Sequence, residues 1–283
     1  MATRAADTPL IPMLIAAAES AERSGNRLLT DDLAIRMLPL GLRPLVRNRT
    51  TRGWLRKVMA REGPGLWDSL ACRKRYFDEQ TDAAVRAGVG AVVVLGAGLD
   101  TRATRLVAAA GVPVFEVDLP VNIELKRRRI ALPDNVVQVA IDFETQDLAT
   151  TLAERGYRGE RTTLFLWEGV TQYLTEKAVR ATLATLAAAP AGSRLVFSYV
   201  RQDFLDGTNL EGCDGAYRRF VAGKGIWRFG LLPGDVAELL AEYGWRELEQ
   251  VGGREYVERF LAPLGRGAEG VPDLERCVTA TKV

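Results

Sequence analysis

The sequence has no histidine. That absence removes Ser–His–Asp and Cys–His catalysis, together with the commonest metal ligand. Cysteine is scarce: Cys72, Cys213 and Cys277 stand far apart, with no Cys-x-x-Cys spacing. They make neither a zinc signature nor a disulfide framework, so no metal is expected. Reduced thiols in the cytoplasm are the expectation. An excess of one charge sign is missing too. Lys and Arg number 38 against 36 Asp and Glu, a net charge of +2, and a bulk polyelectrolyte role is not indicated. No membrane-spanning run or secretion signal is found: Leu10 to Ala18 is apolar, but Asp7, Pro12 and Glu19 spoil it. Neither nucleic acid nor a membrane is expected as a partner. Repeats, low-complexity tracts and an interdomain linker are also absent.

What is present is a hydrophobic fraction of 47% over 283 residues, enough for the core of one large α/β domain. The chain is organised around Val92-Val93-Val94-Leu95-Gly96-Ala97-Gly98-Leu99-Asp100-Thr101-Arg102. A continuous apolar run predicts a strand buried on both faces, as in a parallel sheet. Glycines at its carboxyl end let the backbone turn sharply and let a ligand approach closely.

A pyrophosphate fingerprint needs a third glycine, and Leu99, Asp100 and Thr101 stand there instead. Asp100 places a carboxylate where a phosphate would meet free N–H groups. Downstream, Val114–Asp118, Val136–Ile141 and Thr163–Trp167 predict strands that end at Asp118, Asp142-Phe143 and Glu168-Gly169. Asp118, 22 residues after Gly96, suits hydrogen bonds from ribose hydroxyls. Any one of these acids could be only a helix cap. Four at the carboxyl ends of successive strands predict a pocket hostile to phosphate and hospitable to a cationic adenosine. S-adenosyl-L-methionine fits that description, and NAD does not.

Strands are predicted near 91–96, 112–118, 135–141, 162–168 and 193–200, with helices near 101–110, 120–131, 145–155 and 175–189 between them. This alternation predicts a doubly wound, mostly parallel sheet. Helices are expected at 10–24, at 28–38 (capped near Thr30 or Asp31, stopped by Pro39) and from Leu66 to Ala87. The Gly-rich, aromatic stretch 201–232 reads as an inserted cover, followed by a helix (235–243), a strand (245–251), a helix (255–262) and a last strand (275–281). The expected organisation is a single domain over 1–283. It comprises an N-terminal helical cover (1–90), a cofactor-binding core (91–200), a substrate cover (201–232) and a C-terminal completion of the sheet (233–283).

Between Arg43 and Arg61 seven basic residues occur with no acid. They are expected to coat a solvated helix face, with a basic lid over an acidic substrate as the alternative. Lys126-Arg127-Arg128-Arg129 is likewise expected to be solvated. Arg73 and Arg75 lie on the helix that feeds the first strand, where an arginine could hold a cofactor carboxylate bidentately. Two positions apart, they point about 200° around the helix, so only one can face the pocket readily.

Val93 to Arg102, Phe115-Glu116-Val117-Asp118-Leu119-Pro120 and Glu168-Gly169-Val170-Thr171-Gln172-Tyr173-Leu174 resemble the leucine carboxyl methyltransferase family. The similarity is to its bacterial branch of class I S-adenosylmethionine-dependent O-methyltransferases. Arg73-Lys74-Arg75-Tyr76-Phe77-Asp78, Arg254 to Arg259 and Glu275-Arg276 also fit that branch, and the likeness covers roughly residues 12–281. It implies a seven-stranded Rossmann-like sheet under N-terminal helices. It places the cofactor carboxylate on Arg73 or Arg75 and the methionine backbone near Gly96, Ala97 and Gly98. Ribose would fall on Asp118 and Leu119, adenine on Asp142 and Phe143, and the ammonium by Glu168 and Gly169. Tyr173 matches a position beside the methyl acceptor.

The expected activity is methylation of a carboxylate or hydroxyl of a small molecule in secondary metabolism. A carboxylate needs no base, whereas a hydroxyl would need one, with Glu168 (pKa raised) or Tyr173 as candidates. The alternatives are methylation of a protein C-terminus and a non-catalytic cofactor-binding module. A nucleotide oxidoreductase is disfavoured by Asp100 and the missing glycine. The segments 40–65 and 201–232 match no family pattern, and the sequence names neither the acceptor nor the oligomeric state.

Overall fold

A computed structural model describes residues 10–267 and 270–283. Residues 1–9 of the expected N-terminal cover lie outside the described residues. Seven strands form one sheet: β1 (Ala91–Leu95), β2 (Val114–Asp118), β3 (Val136–Ala140), β4 (Thr163–Trp167), β5 (Arg194–Val200), β6 (Trp245–Val251) and β7 (Glu275–Lys282). Their order is β3-β2-β1-β4-β5-β7-β6. The first five pair in parallel, and β7 runs antiparallel between β5 and β6.

The valines of β1 show why the sheet is buried on both sides. Val92 and Val94 join one apolar cluster with Ala16, Trp67 and Phe77. Val93 and Leu95 join the opposite one with Phe115, Leu152 and Leu183. Side chains alternate across a strand, so a strand apolar at every position must be covered twice. The covering helices are α1 (Leu10–Ser20), α2 (Arg49–Met59), α3 (Leu66–Arg86), α4 (Pro120–Arg127), α5 (Leu148–Glu154), α6 (Glu176–Leu186) and α7 (Val236–Glu242). Asn48 caps α2 by accepting from Thr50 N and Thr51 N at 2.8 and 3.3 Å, and Thr175 caps α6. The chain builds outward from β1 to β3 and then returns to β4. A switch of this kind opens a crevice at the carboxyl ends of β1 and β4.

Several helices differ from expectation. The first stops at Ser20 rather than near residue 24. Over 28–38 only Ala34–Met37 is helical, because Asp31 accepts from Leu33 N and Ala34 N and so fixes the start. At 101–110 the chain makes a π-helical turn (Ala103–Val107) and a short 3₁₀ turn, ended by Gly111 at φ 66°. Widened turns of this kind recur at functional sites.

Two basic tracts are solvated as expected for most of their members (Arg47, Arg49, Lys57, Arg61, Arg127 and Arg128 are exposed), but not for Lys126, Arg52 and Arg56. Lys126 is 1% exposed, with Nζ donating to Glu116 Oε1 at 2.6 Å and to the Asp100 carbonyl. In the 43–61 tract, Arg52 is buried against Glu22 at 2.9 Å, and Arg56 pairs with Glu19 and Asp68 while lying over the Trp67 ring. These three bases are paired with acids elsewhere in the sequence. Arg128 remains at the surface as expected.

Candidate active site

At the carboxyl ends of the parallel strands lies a cavity of about 780 Å³, within the range of small-molecule sites. All four strand-end acids, Asp100, Asp118, Asp142 and Glu168, line it. Gly96, Ala97, Gly98, Leu119, Phe143, Gly169, Arg73 and Tyr173 line it as well. Gly96 has φ 71°, and a Cβ there would sit 2.3 Å from Val170 Cγ2. The tight turn therefore needs glycine on both conformational and steric grounds.

Arg75 is the exception. Its side chain is 44% exposed, with Nε donating to Glu79 at 2.7 Å and Nη1 to the Leu28 carbonyl. It is not among the residues lining the cavity. Arg73 points the other way, buried, with Nε on Glu168 Oε1 at 3.0 Å and Nη1 on both oxygens of Glu275. Helical spacing separates the two arginines, and α3 turns Arg73 inward.

The acids do not form the uncompensated negative pocket that the sequence suggests. Arg102, fully buried by its neighbours, donates to Asp78 Oδ1 at 2.7 Å, to Asp100 Oδ2 and to Glu168 Oε2 at 2.5 Å. Lys74 Nζ lies 3.8 Å from Glu168. Burial alone would raise the pKa of Glu168. The charges of Arg102, Lys74 and Arg73 outweigh it and hold the carboxyl well below the usual carboxylate range. Asp100 is shifted the same way: burial raises it, and Arg102 and Lys74 lower it further. Glu168 with a raised pKa, one of the two candidate bases for a hydroxyl acceptor, is therefore corrected. It is locked in its ionised form.

Asp118 behaves oppositely, since burial raises its pKa despite its hydrogen bonds. Its Oδ2 accepts from Gly98 N, and its Oδ1 accepts from Leu119 N at 2.6 Å and Asn122 Nδ2 at 2.7 Å. Asp118 thus pins the glycine turn to β2 as well as facing the cavity. Asn122 Oδ1 is buried with no partner among the described residues, although Asn122 lines the same wall.

Much of the remaining lining is apolar: Leu55, Met59, Trp67, Leu70 and Leu174. The 201–232 stretch contributes Ala216, Arg219, Phe220, Trp227 and Arg228. Trp227 stacks on Phe220 at 4.7 Å and 9°, and meets Tyr173 edge-on at 6.5 Å. Sequence reasoning missed Lys74, Asn122, Gln172, Trp227 and Glu275 as lining residues, and gave Arg102 no role. The signal for Arg102 was its place at the end of the Gly-x-Gly-x-x-Thr run. Asn122 carried none, because a single polar residue in a helix has no distinguishing pattern, whereas Trp227 belongs to the aromatic stretch 201–232 expected as a substrate cover.

The leucine carboxyl methyltransferase family model matches residues 10–187. A Saccharopolyspora erythraea protein named as an S-adenosyl-L-methionine-dependent methyltransferase is 32% identical over 234 residues, 78% of this chain and 79% of that one. A Mycobacterium avium protein of the same name is 41% identical over 139 residues, 46% of each chain, so the matched part spans about half of that relative. Among solved structures, a DUF574 family protein from Streptomyces avermitilis superposes with TM-score 0.57 at 15% identity, covering 82% of this chain and 91% of that one. A Listeria monocytogenes protein named as an S-adenosylmethionine-dependent methyltransferase gives 0.53 at 12%, covering 75% and 99%. These two likenesses speak for the fold. The sheet order, the acid-ended strands and the family match agree: the chain belongs to the leucine carboxyl methyltransferase family of S-adenosyl-L-methionine-dependent methyltransferases.

Proposed function

We propose that the chain methylates a carboxylate oxygen of an apolar small molecule, in the setting of secondary metabolism. The observation that carries this reading is Glu168, which lines the cavity among three cations. A group so strongly acidic is a poor general base, whose pKa should lie near the working pH. A carboxylate acceptor needs none.

Bound S-adenosyl-L-methionine supplies an electrophilic methyl group on a sulfonium. The residues present fit it: Asn122 Oδ1 is a buried, unpartnered acceptor beside Asp118, where hydroxyl donors would complete both. On this reading Arg73 and Lys74 would hold the methionine carboxylate and Glu168 the ammonium, with Asp142 and Phe143 beside the adenine. The apolar walls then strip water from the acceptor and hold its oxygen in line with the methyl carbon, which is most of what this displacement requires. With the cofactor bound, its methyl group would pass to the carboxylate oxygen and its sulfur would keep the departing electron pair, giving a methyl ester and the thioether. The stacked aromatics Phe220 and Trp227 in the lining favour a small apolar acceptor over a protein C-terminus. Three buried free cysteines are in keeping with a reducing, cytoplasmic setting.

The test is a transfer assay with isotopically labelled S-adenosyl-L-methionine and a panel of apolar carboxylic acids and phenols, each product then treated with mild base. A base-labile label on an acid is expected, since a methyl ester hydrolyses and a methyl ether does not. A base-stable label, or a label found only on protein, would overturn the proposal.

A further inference from the structure

Helix α2 has two sides of different character. The inner side carries Arg52 and Arg56, paired with Glu22, Glu19 and Asp68, together with Leu55 and Met59, which line the cavity. The outer side carries Trp54, Lys57 and Val58, neighbours at helical spacings of three and four. Trp54 is 57% exposed and Val58 36%, and Val58 also lines the cavity. Trp54, Val58 and Leu55 follow one another around the helix, so an apolar strip runs from the surface to the cavity wall. Three of the seven exposed large apolar side chains among the described residues, Leu40, Trp54 and Val58, fall in this one stretch. Such exposure is concentrated rather than scattered, which marks an interaction surface.

The exposed charges in and beside α2 are all of one sign. Arg47, Arg49, Lys57 and Arg61 are exposed, and their side chains make no ion pair among the described residues. No acid stands between Arg43 and Arg61 to neutralise them. The helix thus turns its paired bases inward and leaves its unpaired ones in solvent.

We propose that this face docks on an anionic lipid bilayer, with Trp54 and Val58 in the headgroup layer and the four bases on lipid phosphates. Short helices with tryptophan and aliphatic side chains beside lysine and arginine lie at that boundary. Lys57 can extend its ammonium to phosphate while its stem lies against the apolar layer. A second copy of this chain is a poorer occupant, since a two-fold contact lays the patch on itself and sets cations against cations. The expectation of no membrane partner rested on the lack of a spanning run. Among the described residues no helix is long and apolar enough to cross a membrane, and surface docking needs none. Because Val58 belongs to both the docked face and the cavity wall, an apolar acceptor would reach the cavity from the lipid along α2. That consequence rests on the acceptor reading; the docking does not.

The probes are sedimented vesicles of phosphatidylcholine alone and of phosphatidylcholine with an equal share of phosphatidylglycerol, mixed with the whole protein. Affinity for the anionic vesicles should be at least about tenfold the higher, and should fall as salt rises. Trp54→Ala should lose about tenfold and Lys57→Gln about fivefold. Arg128→Gln removes the same charge beyond the end of α4 and should lose little. S-adenosylhomocysteine affinity should be retained in all three variants, since none of these side chains lines the cavity. In the unmodified protein, lipid brominated on its acyl chains should quench the emission of Trp54, the one tryptophan of five classed as exposed. Equal affinity for both vesicles, no binding, or binding without quenching overturns the proposal. So does a loss in Lys57→Gln with none in Trp54→Ala, which would make the patch one for an acidic protein or a nucleic acid.

Discussion

Arg73 donates from Nη1 to both oxygens of Glu275, at 2.8 and 2.6 Å, across 202 positions of sequence. The pair ties α3 to the first residue of β7 beside Glu168. The arginine thus has a structural partner on one side and a cavity on the other.

Arg73 and Arg75 should accordingly differ under the same substitution. Arg73→Lys loses the planar fork and is expected to weaken S-adenosylhomocysteine binding about tenfold or more, with a lower melting temperature. Arg75→Lys should leave both unchanged. Calorimetry and thermal melts of the two variants decide it, and equal losses would contradict the assignment.

The Lys126–Glu116 pair offers a test of buried charge. Both side chains are 1% exposed, and burial raises the pKa of Glu116 against the pull of Lys126. Lys126→Met strands that carboxylate and should cost about 3–5 kcal/mol. For a chain of this size that is a fall of roughly 5–8 °C in melting temperature. Adding Glu116→Leu should recover most of it. A double variant no better than the single one would show that Lys126 acts chiefly through the Asp100 carbonyl.

Acid should unfold the protein through a second cluster. Glu19 is completely buried, bound by Arg56, Arg266 and Trp67, and despite burial its pKa lies below the ordinary 4.5. A folded pKa below the unfolded one gives stability that is present above about pH 4.5 and lost as the pH falls through the folded value. Denaturant titrations at descending pH should show that loss. Glu19→Gln should be less stable at pH 7 and should lose less on acidification. A variant with an unchanged acid slope would remove Glu19 from the account.

Turnover should be nearly independent of pH from about 6 to 9. No histidine is present, and burial pushes the Cys213 thiol up to about 12, with Cys72 and Cys277 higher still. Glu168 is ionised throughout that range. Tyr173→Phe should cost about tenfold in acceptor KM and little in kcat. A limb near pH 7 that disappears in Tyr173→Phe would mean that Tyr173 removes a proton from a hydroxyl.

The strands and the four acids at their ends were legible because both signals are local. An apolar run of five residues followed by glycine or acid says the same thing in any context. The partners of those acids were not legible. Lys126 sits in a run of four bases that looks like a surface, and only the packing of α4 on the sheet sends its first member inward. Arg102 and Lys74 come from separate stretches of chain, and nothing in their own neighbourhoods announces that they meet at Glu168, nor that Glu275 joins the same cluster through Arg73. The 28–38 stretch failed for a smaller reason. Its leucines carry a helical spacing, yet Asp31 caps the turn that follows Leu28 and Leu29 and leaves those two outside the helix.

The position of β7 in the sheet bears on how the molecule is made. β5 is finished well before β7 is synthesised, yet its far edge has no partner until β7 slides in beside it. β6, made in between, has nothing to pair with in the meantime. A nascent chain therefore carries two open edges late into translation, the condition under which strands recruit foreign neighbours. The same arrival brings Glu275 to Arg73, so the wall of the cavity and the seam of the sheet close in one event.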